Sequence, residues 1–190
     1  MDSLPADLDP VSAALADAEP AVPAPGDLTL PEIQLAIRRA AARLCGQLNW
    51  AVLHEVPLPN NRRADILALR PDGGFCCIEV KSGARDFLCD NKWPEYRDYC
   101  DALLFAVDDS FPQALLPPDV GLIVACVGPH CRPGGVFAEA ELLREPPAHP
   151  LSPARRRQLT HRFATLAASR LAMLEDPAIT ASLRAARRVE

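Results

Sequence analysis

The sequence contains no uncharged apolar run of about 18 residues, which excludes a transmembrane helix of ordinary length. Its N-terminus lacks the basic flank and apolar core of a secretory signal, so we expect a cytoplasmic protein with no membrane partner. In that reducing compartment the seven cysteines are expected to remain free thiols. No glycine-rich loop follows a predicted strand, and no local Ser-His-Asp or Cys-His pattern is present. A nucleotide-binding loop and a nucleophilic triad therefore have no support.

Aromatic residues make up only 5% of the chain, but 49% is hydrophobic and 24% is charged. This balance excludes a wholly disordered or collagen-like protein and is typical of a globular domain. A chain of 190 residues is long enough for one domain with a buried core and too short for two enzyme domains. We therefore predict an acidic, Pro/Ala-rich disordered tail over residues 1–28, one domain over 29–176 and a C-terminal tail over 177–190.

The net charge of −5 is unevenly distributed. Residues 1–28 carry six acids and no cation, which leaves 19 acidic and 20 basic residues in the remainder. From residue 151 onward there are eight arginines against three acids. This basic region could contact nucleic-acid phosphates, or it could be the solvated face of an arginine-rich helix.

Periodicity predicts an α/β domain. A helix begins after Thr29 and ends near residues 46–49, a second ends near Asp101 with Pro94 in its first turn, and a third extends from Pro153 to about residue 174. Residues 129–150 are predicted to be mostly loop around a short element at 136–143. The predicted strands cover residues 50–58, 63–69, 75–81, 102–107 and 121–127. This order predicts a three-layer sandwich with a mixed central sheet, an αβββαβ core and an added C-terminal helix.

One predicted hairpin brings acidic side chains together. Glu79 and Lys81 share a face of the third strand, and Asp65 lies on a face of the second strand. A five-residue turn at 70–74 would place Asp65 opposite Glu79. Two neighbouring carboxylates repel each other unless a cation lies between them, so this register predicts a divalent metal site.

Mg²⁺, or Mn²⁺ in its place, suits such a site because it uses few protein carboxylates and keeps several waters. The Val80 carbonyl could supply a further oxygen ligand. Lys81 would then orient the attacking water or stabilise charge on a phosphate. Only two of the 20 cations are lysines, Lys81 and Lys92, and a compact ammonium fits beside a metal better than a planar guanidinium. A codon bias that leaves two lysines at arbitrary positions is the alternative explanation.

These residues resemble a known pattern. Asp65 followed by Glu79-Val80-Lys81 is similar to the PD-(D/E)XK nuclease superfamily, although Ala64 stands where that pattern has proline. A longer pattern within residues 55–112 resembles the MmcB family of bacterial DNA repair proteins. Its members are Arg62-Arg63-Ala64-Asp65, Ile78-Glu79-Val80-Lys81-Ser82, Asp86-Phe87, Asp90, Lys92-Trp93-Pro94-Glu95-Tyr96, Cys100-Asp101 and Phe105-Ala106-Val107. The resemblance implies a restriction-endonuclease-like fold, a role in DNA repair, and Asp65, Glu79 and Lys81 as the catalytic positions.

Other residues are candidates for supporting roles. A further carboxylate for the metal could come from Glu32 or Glu55, although Glu32 equally suits a helix N-terminus and Glu55 a solvated strand edge. Trp93 and Tyr96 are expected to pack in the core. The predicted contacts to DNA phosphates are Arg62, Arg63, Lys92, Arg155, Arg156 and Arg157. The three arginines at residues 155–157 oppose the helix dipole, so DNA, or Glu141 or Glu145, should compensate them.

The leading hypothesis is a Mg²⁺-dependent DNA repair endonuclease that is structure-specific or nonspecific, because no base-reading motif is present. The alternative is a non-catalytic DNA-binding or scaffolding subunit with the same fold, supported by the acidic tail. An RNA-directed nuclease is a third, weaker hypothesis. DNA is the expected partner, and further repair proteins and a homodimer are left open.

Overall fold

The fold was analysed in a computed structural model, which describes residues 28–128, 139–176 and 178. The predicted tails 1–28 and 177–190 lie outside these ranges apart from one residue of each. Among the described residues, no helix is long and apolar enough to cross a membrane.

The first helix, α1, spans Leu30–Gln47 and begins where the sequence predicts. Glu32 accepts hydrogen bonds from the Thr29 N–H at 2.8 Å and from the Thr29 hydroxyl at 2.7 Å, which satisfies a backbone donor that the first turn leaves free. Pro31 lies in that first turn, where its missing N–H has no cost. The buried face of α1 consists of Ile37, Ala40, Ala41 and Cys45.

Six strands form one mixed sheet in sequential order β1 to β6. The first three strands pair antiparallel, as β1–β2 and β2–β3. The next two pairs, β3–β4 and β4–β5, are parallel, and β6 is antiparallel to β5. The strands are β1 Ala51–Pro57, β2 Arg63–Leu69, β3 Phe75–Lys81, β4 Ala102–Asp108, β5 Gly121–Ala125 and β6 Ala140–Arg144. The remaining elements are α2 Ala84–Cys89, 3-10 helices at Trp93–Tyr99 and Gln113–Leu115, and α3 Pro153–Glu175.

The β2–β3 hairpin has the predicted register. Leu69 pairs with Phe75 and Leu67 pairs with Cys77, so the connecting loop has five residues. Gly73 has a φ of 80°, a conformation that glycine adopts without steric cost, and the Arg70 N–H donates to the Gly74 carbonyl at 2.8 Å. The faces assigned to the residues of β2 and β3 from alternation alone are therefore correct.

Apolar side chains cover both faces of the sheet. On one face α1 packs against Ile66 and Ile78. On the other, the helix Trp93–Tyr99 and α3 pack against Phe75 and Phe105. Helix, sheet and helix therefore form three layers, which confirms the predicted α/β sandwich. α3 begins at Pro153 as predicted, and the Ser152 hydroxyl accepts a hydrogen bond from the Arg155 N–H.

Two predictions need correction, and a third is made more specific. The helix predicted at Pro94 is a 3-10 helix that ends at Tyr99. The short element predicted at 136–143, whose type the sequence left open, corresponds in the described residues to strand β6, which pairs antiparallel with β5. Cys126 is disulfide-bonded, so the expectation that every thiol is free is wrong. That expectation rested on cellular compartment and carried no geometric information.

Candidate functional site

Asp65 and Glu79 lie beside each other at the end of the β2–β3 ladder. The regular pairing stops at Ile66 and Ile78. Beyond it, an Asp65 carboxylate oxygen accepts from the Val80 N–H at 2.9 Å, and the Asp65 N–H points to the Glu79 carboxylate at 3.4 Å. The structure therefore brings Asp65 and Glu79 together as the predicted register requires, and Val80 contacts Asp65 through its N–H, whereas the sequence prediction concerned its carbonyl.

Both carboxyl groups resist ionisation in this position. Glu79 is only 4% exposed, and burial together with the neighbouring Asp65 raises its pKa to about 9. Burial also raises the pKa of Asp65, and the Glu55 charge adds to the rise, although the Val80 N–H opposes it. Two acids with raised pKa values at one point form a pair that a bound cation would stabilise.

The donor set of this acid pair is small. Among the described residues, no group of three or more His, Cys, Asp or Glu side chains is placed to hold a metal ion. A metal bound here would have two protein carboxylates and a backbone carbonyl, and water or phosphate oxygens would have to complete its shell. Mg²⁺ and Mn²⁺ accept that composition, whereas Ca²⁺ takes six to eight oxygen ligands and a structural zinc site needs four ligands from the protein.

Lys81 lies two residues beyond Glu79 and is 5% exposed. Its ammonium forms an ion pair with Asp90, with 2.5 Å between Nζ and Oδ2. The Lys81 charge partly offsets the rise in the pKa of both Asp65 and Glu79, as expected for an ammonium on the same strand face as Glu79. Sequence reasoning assigned Asp90 no role. It is the C-cap of α2, and its place in the sequence indicates no contact with a strand end nine residues earlier.

Glu55 lies next to the site but is already held by two cations. Its carboxylate pairs with Arg38 and with Arg63, each at 2.5 Å. Its φ of 50° is rare for a residue with a side chain, and such backbone strain is common at functional sites. Arg38 was missed because a single arginine on the polar side of α1 carries no distinguishing pattern.

The other predicted carboxylate, Glu32, is used in the N-terminal cap of α1. Both of its hydrogen bonds are to Thr29. These bonds lower the pKa of its carboxyl group. The structure therefore places Glu32 in the helix-capping role that the sequence also allowed and does not bring it to Asp65.

The cations predicted near the site differ in whether an acidic side chain already pairs with them. Arg62 donates two hydrogen bonds to Glu95, at 2.7 and 2.9 Å. Lys92 is exposed and has no ion-pair partner among residues 28–128 and 139–176. Trp93 packs in the core as predicted, at 5.6 Å from the Phe105 ring, and the buried Tyr96 donates its hydroxyl to the Arg63 carbonyl at 3.2 Å.

The arginines at the start of α3 mostly make internal contacts. Arg155 pairs with Asp98 at 3.1 Å, and Arg156 pairs with the buried Asp101 at 2.6 Å. Arg157 is exposed without a partner in the described part of the chain. Acids do compensate these cations, but they are Asp98 and Asp101 rather than the predicted Glu141 or Glu145.

Comparison with known proteins gives two matches. The model of the MmcB-like DNA repair protein family matches residues 22–178. A solved structure of a protein of unknown function from Silicibacter pomeroyi superimposes with a TM-score of 0.68 and 36% sequence identity, over 80% of this chain and 94% of that one. No curated protein matches the chain.

Proposed function

This chain belongs to the MmcB-like DNA repair protein family, and from that membership and the geometry at Asp65 and Glu79 we propose that it is a metal-dependent nuclease acting in DNA repair. On this proposal the three-layer fold is restriction-endonuclease-like. Asp65, Glu79 and Lys81 are then the motif of the PD-(D/E)XK superfamily. DNA is the proposed partner, and the proposed reaction is hydrolysis of a phosphodiester bond.

One observation carries the proposal: two carboxyl groups with raised pKa values lie together, and no cation among the described residues is bonded to either. Burying Glu79 beside Asp65 disfavours ionising both groups: without a cation Glu79 keeps its proton, and a bound cation would let both ionise. The only ion pair of Lys81 among the described residues is with Asp90, so Lys81 does not neutralise the pair by direct contact. Structural carboxylates normally have such a partner, which favours a metal-binding role.

Asp65 and Glu79 would hold Mg²⁺ or Mn²⁺, with the Val80 carbonyl as a third ligand. The bound ion would supply Lewis-acid stabilisation of a phosphate and a lowered pKa for a coordinated water. Lys81 has three N–H donors, of which one points to Asp90. The other two remain for orienting a nucleophilic water and for donating to a phosphate oxygen. Lys92 and Arg157 are proposed to contact the DNA backbone, because no acid in the described structure pairs with them.

The test is cleavage by the purified full chain of nicked, branched and single-stranded DNA with Mg²⁺ or Mn²⁺. Glu79→Gln keeps the shape of the side chain and removes its ability to hold the metal. Glu145→Gln is the matched control, because Glu145 is exposed and lies outside the site. We expect metal-dependent cleavage in the wild type and in the control, and its loss in Glu79→Gln.

Two results would overturn the proposal. Wild-type chain that binds DNA but cleaves none of these substrates with either metal supports the non-catalytic module instead. Cleavage that persists in Glu79→Gln would assign the activity to another site or to a contaminant.

A further inference from the structure

The ammonium of Lys81 lies at a fixed point, and Asp90 fixes it. The two side chains are 6% and 19% exposed. A buried ammonium is stable only with a partner, and Asp90 is the ion-pair partner that the described structure supplies. Lysine has a flexible four-carbon stem, so without this contact the ammonium could occupy several positions.

Asp90 is itself held at three points. Its N–H donates to the Phe87 carbonyl at 3.1 Å as the C-cap of α2. One carboxylate oxygen accepts from the Lys92 N–H at 2.9 Å, and the other accepts from Lys81. Neither oxygen is free to rotate away from its donor without breaking a hydrogen bond. The carboxylate is therefore a preorganised acceptor for the ammonium.

The helix that carries Asp90 is anchored beside the acid pair. Phe87 packs edge-on against Phe105, with 5.3 Å between ring centroids. Phe105 is the β4 partner of Glu79 in the sheet. The chain of contacts from Glu79 through Phe105 and Phe87 to Asp90 thus sets the acceptor of Lys81 relative to the acid pair.

The most favourable alternative partner for the ammonium is the acid pair itself. Lys81 and Glu79 share one strand face, and the Lys81 charge already acts on both Asp65 and Glu79. A direct ion pair there would place the ammonium where a metal would bind. Asp90 supplies a competing carboxylate, and it is the one that the ammonium contacts.

We propose that Asp90 is a positioning residue of this site, which keeps the Lys81 ammonium off the Asp65–Glu79 pair and directs its remaining N–H groups at the attacking water. The inference rests on the proposed function, because it assigns Asp90 a role in the same reaction. Asp90 acts through Lys81 and touches neither metal nor substrate.

The first measurement needs no cleavage activity. The chain has only two lysines, so selective [¹⁵N]lysine labelling gives at most two side-chain ammonium resonances by NMR. We expect one slowly exchanging resonance from Lys81, retained in Lys92→Arg and lost or strongly shifted in Asp90→Asn. Asp90→Asn keeps an oxygen for the Lys92 N–H, and its folding is checked by thermal unfolding. A Lys81 resonance unchanged in Asp90→Asn overturns the proposal.

The second measurement is Mn²⁺ affinity by electron paramagnetic resonance. Asp86→Asn is the matched control, because it removes the same charge from an exposed position on the same helix. We expect binding about tenfold weaker in Asp90→Asn and little changed in Asp86→Asn. Equal weakening in both variants would show a general charge effect and overturn the positioning role. Asp90→Glu, which restores the charge, should recover part of the affinity.

If the wild type cleaves DNA, Asp90→Asn should lower kcat and leave the KM for DNA nearly unchanged. If Asp90 had a purely structural role, the variant would lose thermal stability without a selective loss of kcat. A wild type that does not cleave contradicts the proposed function. The resonance and Mn²⁺ measurements still decide whether Asp90 positions Lys81.

Discussion

Two buried carboxylates at opposite ends of β3 have opposite electrostatic surroundings. Asp101 is 8% exposed and Glu79 is 4% exposed, so burial alone disfavours ionisation of both. Asp101 lies against Phe75 at the start of β3, and Glu79 lies near the end, where β3 stops at Lys81. Those strand ends are about 20 Å apart.

The neighbours of the two groups explain the difference. Burial would raise the pKa of Asp101, but two hydrogen bonds from Arg156 and the N–H groups of Phe75 and Leu151 hold it below its usual range. Among the described residues Glu79 has one long hydrogen bond, from the Asp65 N–H, and its pKa rises to about 9. Asp101 therefore joins α3 to the sheet as a carboxylate, while Glu79 keeps its proton up to about pH 9 unless a cation is bound beside it.

The largest effect on stability should come from removing the Asp101 carboxylate. Asp101→Ala leaves the Arg156 guanidinium and two N–H groups without their acceptor, so we expect a loss of about 3 kcal/mol in the free energy of unfolding. Urea denaturation measures it. The exposed acid Asp98, changed to alanine, should cost under about 1 kcal/mol. A loss from Asp101→Ala no larger than that of Asp98→Ala would contradict the contrast.

Bound metal should stabilise the protein at the Asp65–Glu79 pair, because it supplies the cation that Glu79 lacks. At ten times its dissociation constant, Mg²⁺ should raise the free energy of unfolding by about 1.4 kcal/mol. Binding must displace the proton of Glu79, so apparent affinity should increase with pH up to about 9. Calorimetry in buffers of different ionisation enthalpy detects the released proton. An apparent Mg²⁺ affinity that stays constant from about pH 6 to about pH 9 would contradict the assignment.

The two acids should also bend the pH dependence of stability in opposite directions. The folded pKa of Glu79 is raised, so its contribution is present at low pH and is lost as pH rises toward about 9. The folded pKa of Asp101 is lowered, so its contribution is present above the usual pKa of 3.8 and is lost as pH falls through the folded value. Glu79→Gln should therefore flatten this alkaline slope, the fall in stability between the usual pKa of 4.5 and about 9, in metal-free protein. An unchanged alkaline slope would show that Glu79 ionises normally.

The smallest effect is expected at Arg155. Its pair with Asp98 is exposed on both sides, so Arg155→Gln should change stability by less than about 0.5 kcal/mol. Thermal unfolding at two salt concentrations provides the measurement. A larger loss at both salt concentrations would show that packing of the Arg155 stem, rather than charge, holds α3 in place.

The Asp65–Glu79 pair at the end of β3 was easier to predict from the sequence than the Asp101–Arg156 pair at its start. Alternation along β2 and β3 and the turn at 70–74 place Asp65 beside Glu79, because all the required information lies within 17 residues. The Arg156–Asp101 pair joins residues 55 positions apart, and the helix that carries Arg156 shows no pattern that selects its acceptor. The type and pairing of the element that became β6 could not be predicted for the same reason, since its partner strand precedes an intervening segment of the chain.

Asp90 shows a second limit of local reasoning. It lies only nine residues after Lys81, but a short helix and its C-cap decide whether the two meet. Neither the short helix nor its C-cap is long enough to show the periodic pattern that makes longer helices predictable. Among the sequence observations, only the family-like pattern included Asp90, and it assigned the residue no chemistry.

The central claim is that the acid pair at the end of the β2–β3 ladder holds a divalent metal. Diffraction from crystals soaked in Mn²⁺, recorded at a wavelength where manganese scatters anomalously, tests it directly. We predict one strong anomalous peak within bonding distance of both Asp65 and Glu79, absent in Glu79→Gln crystals treated identically. Ordered Asp65 and Glu79 side chains with no peak between them would contradict the account.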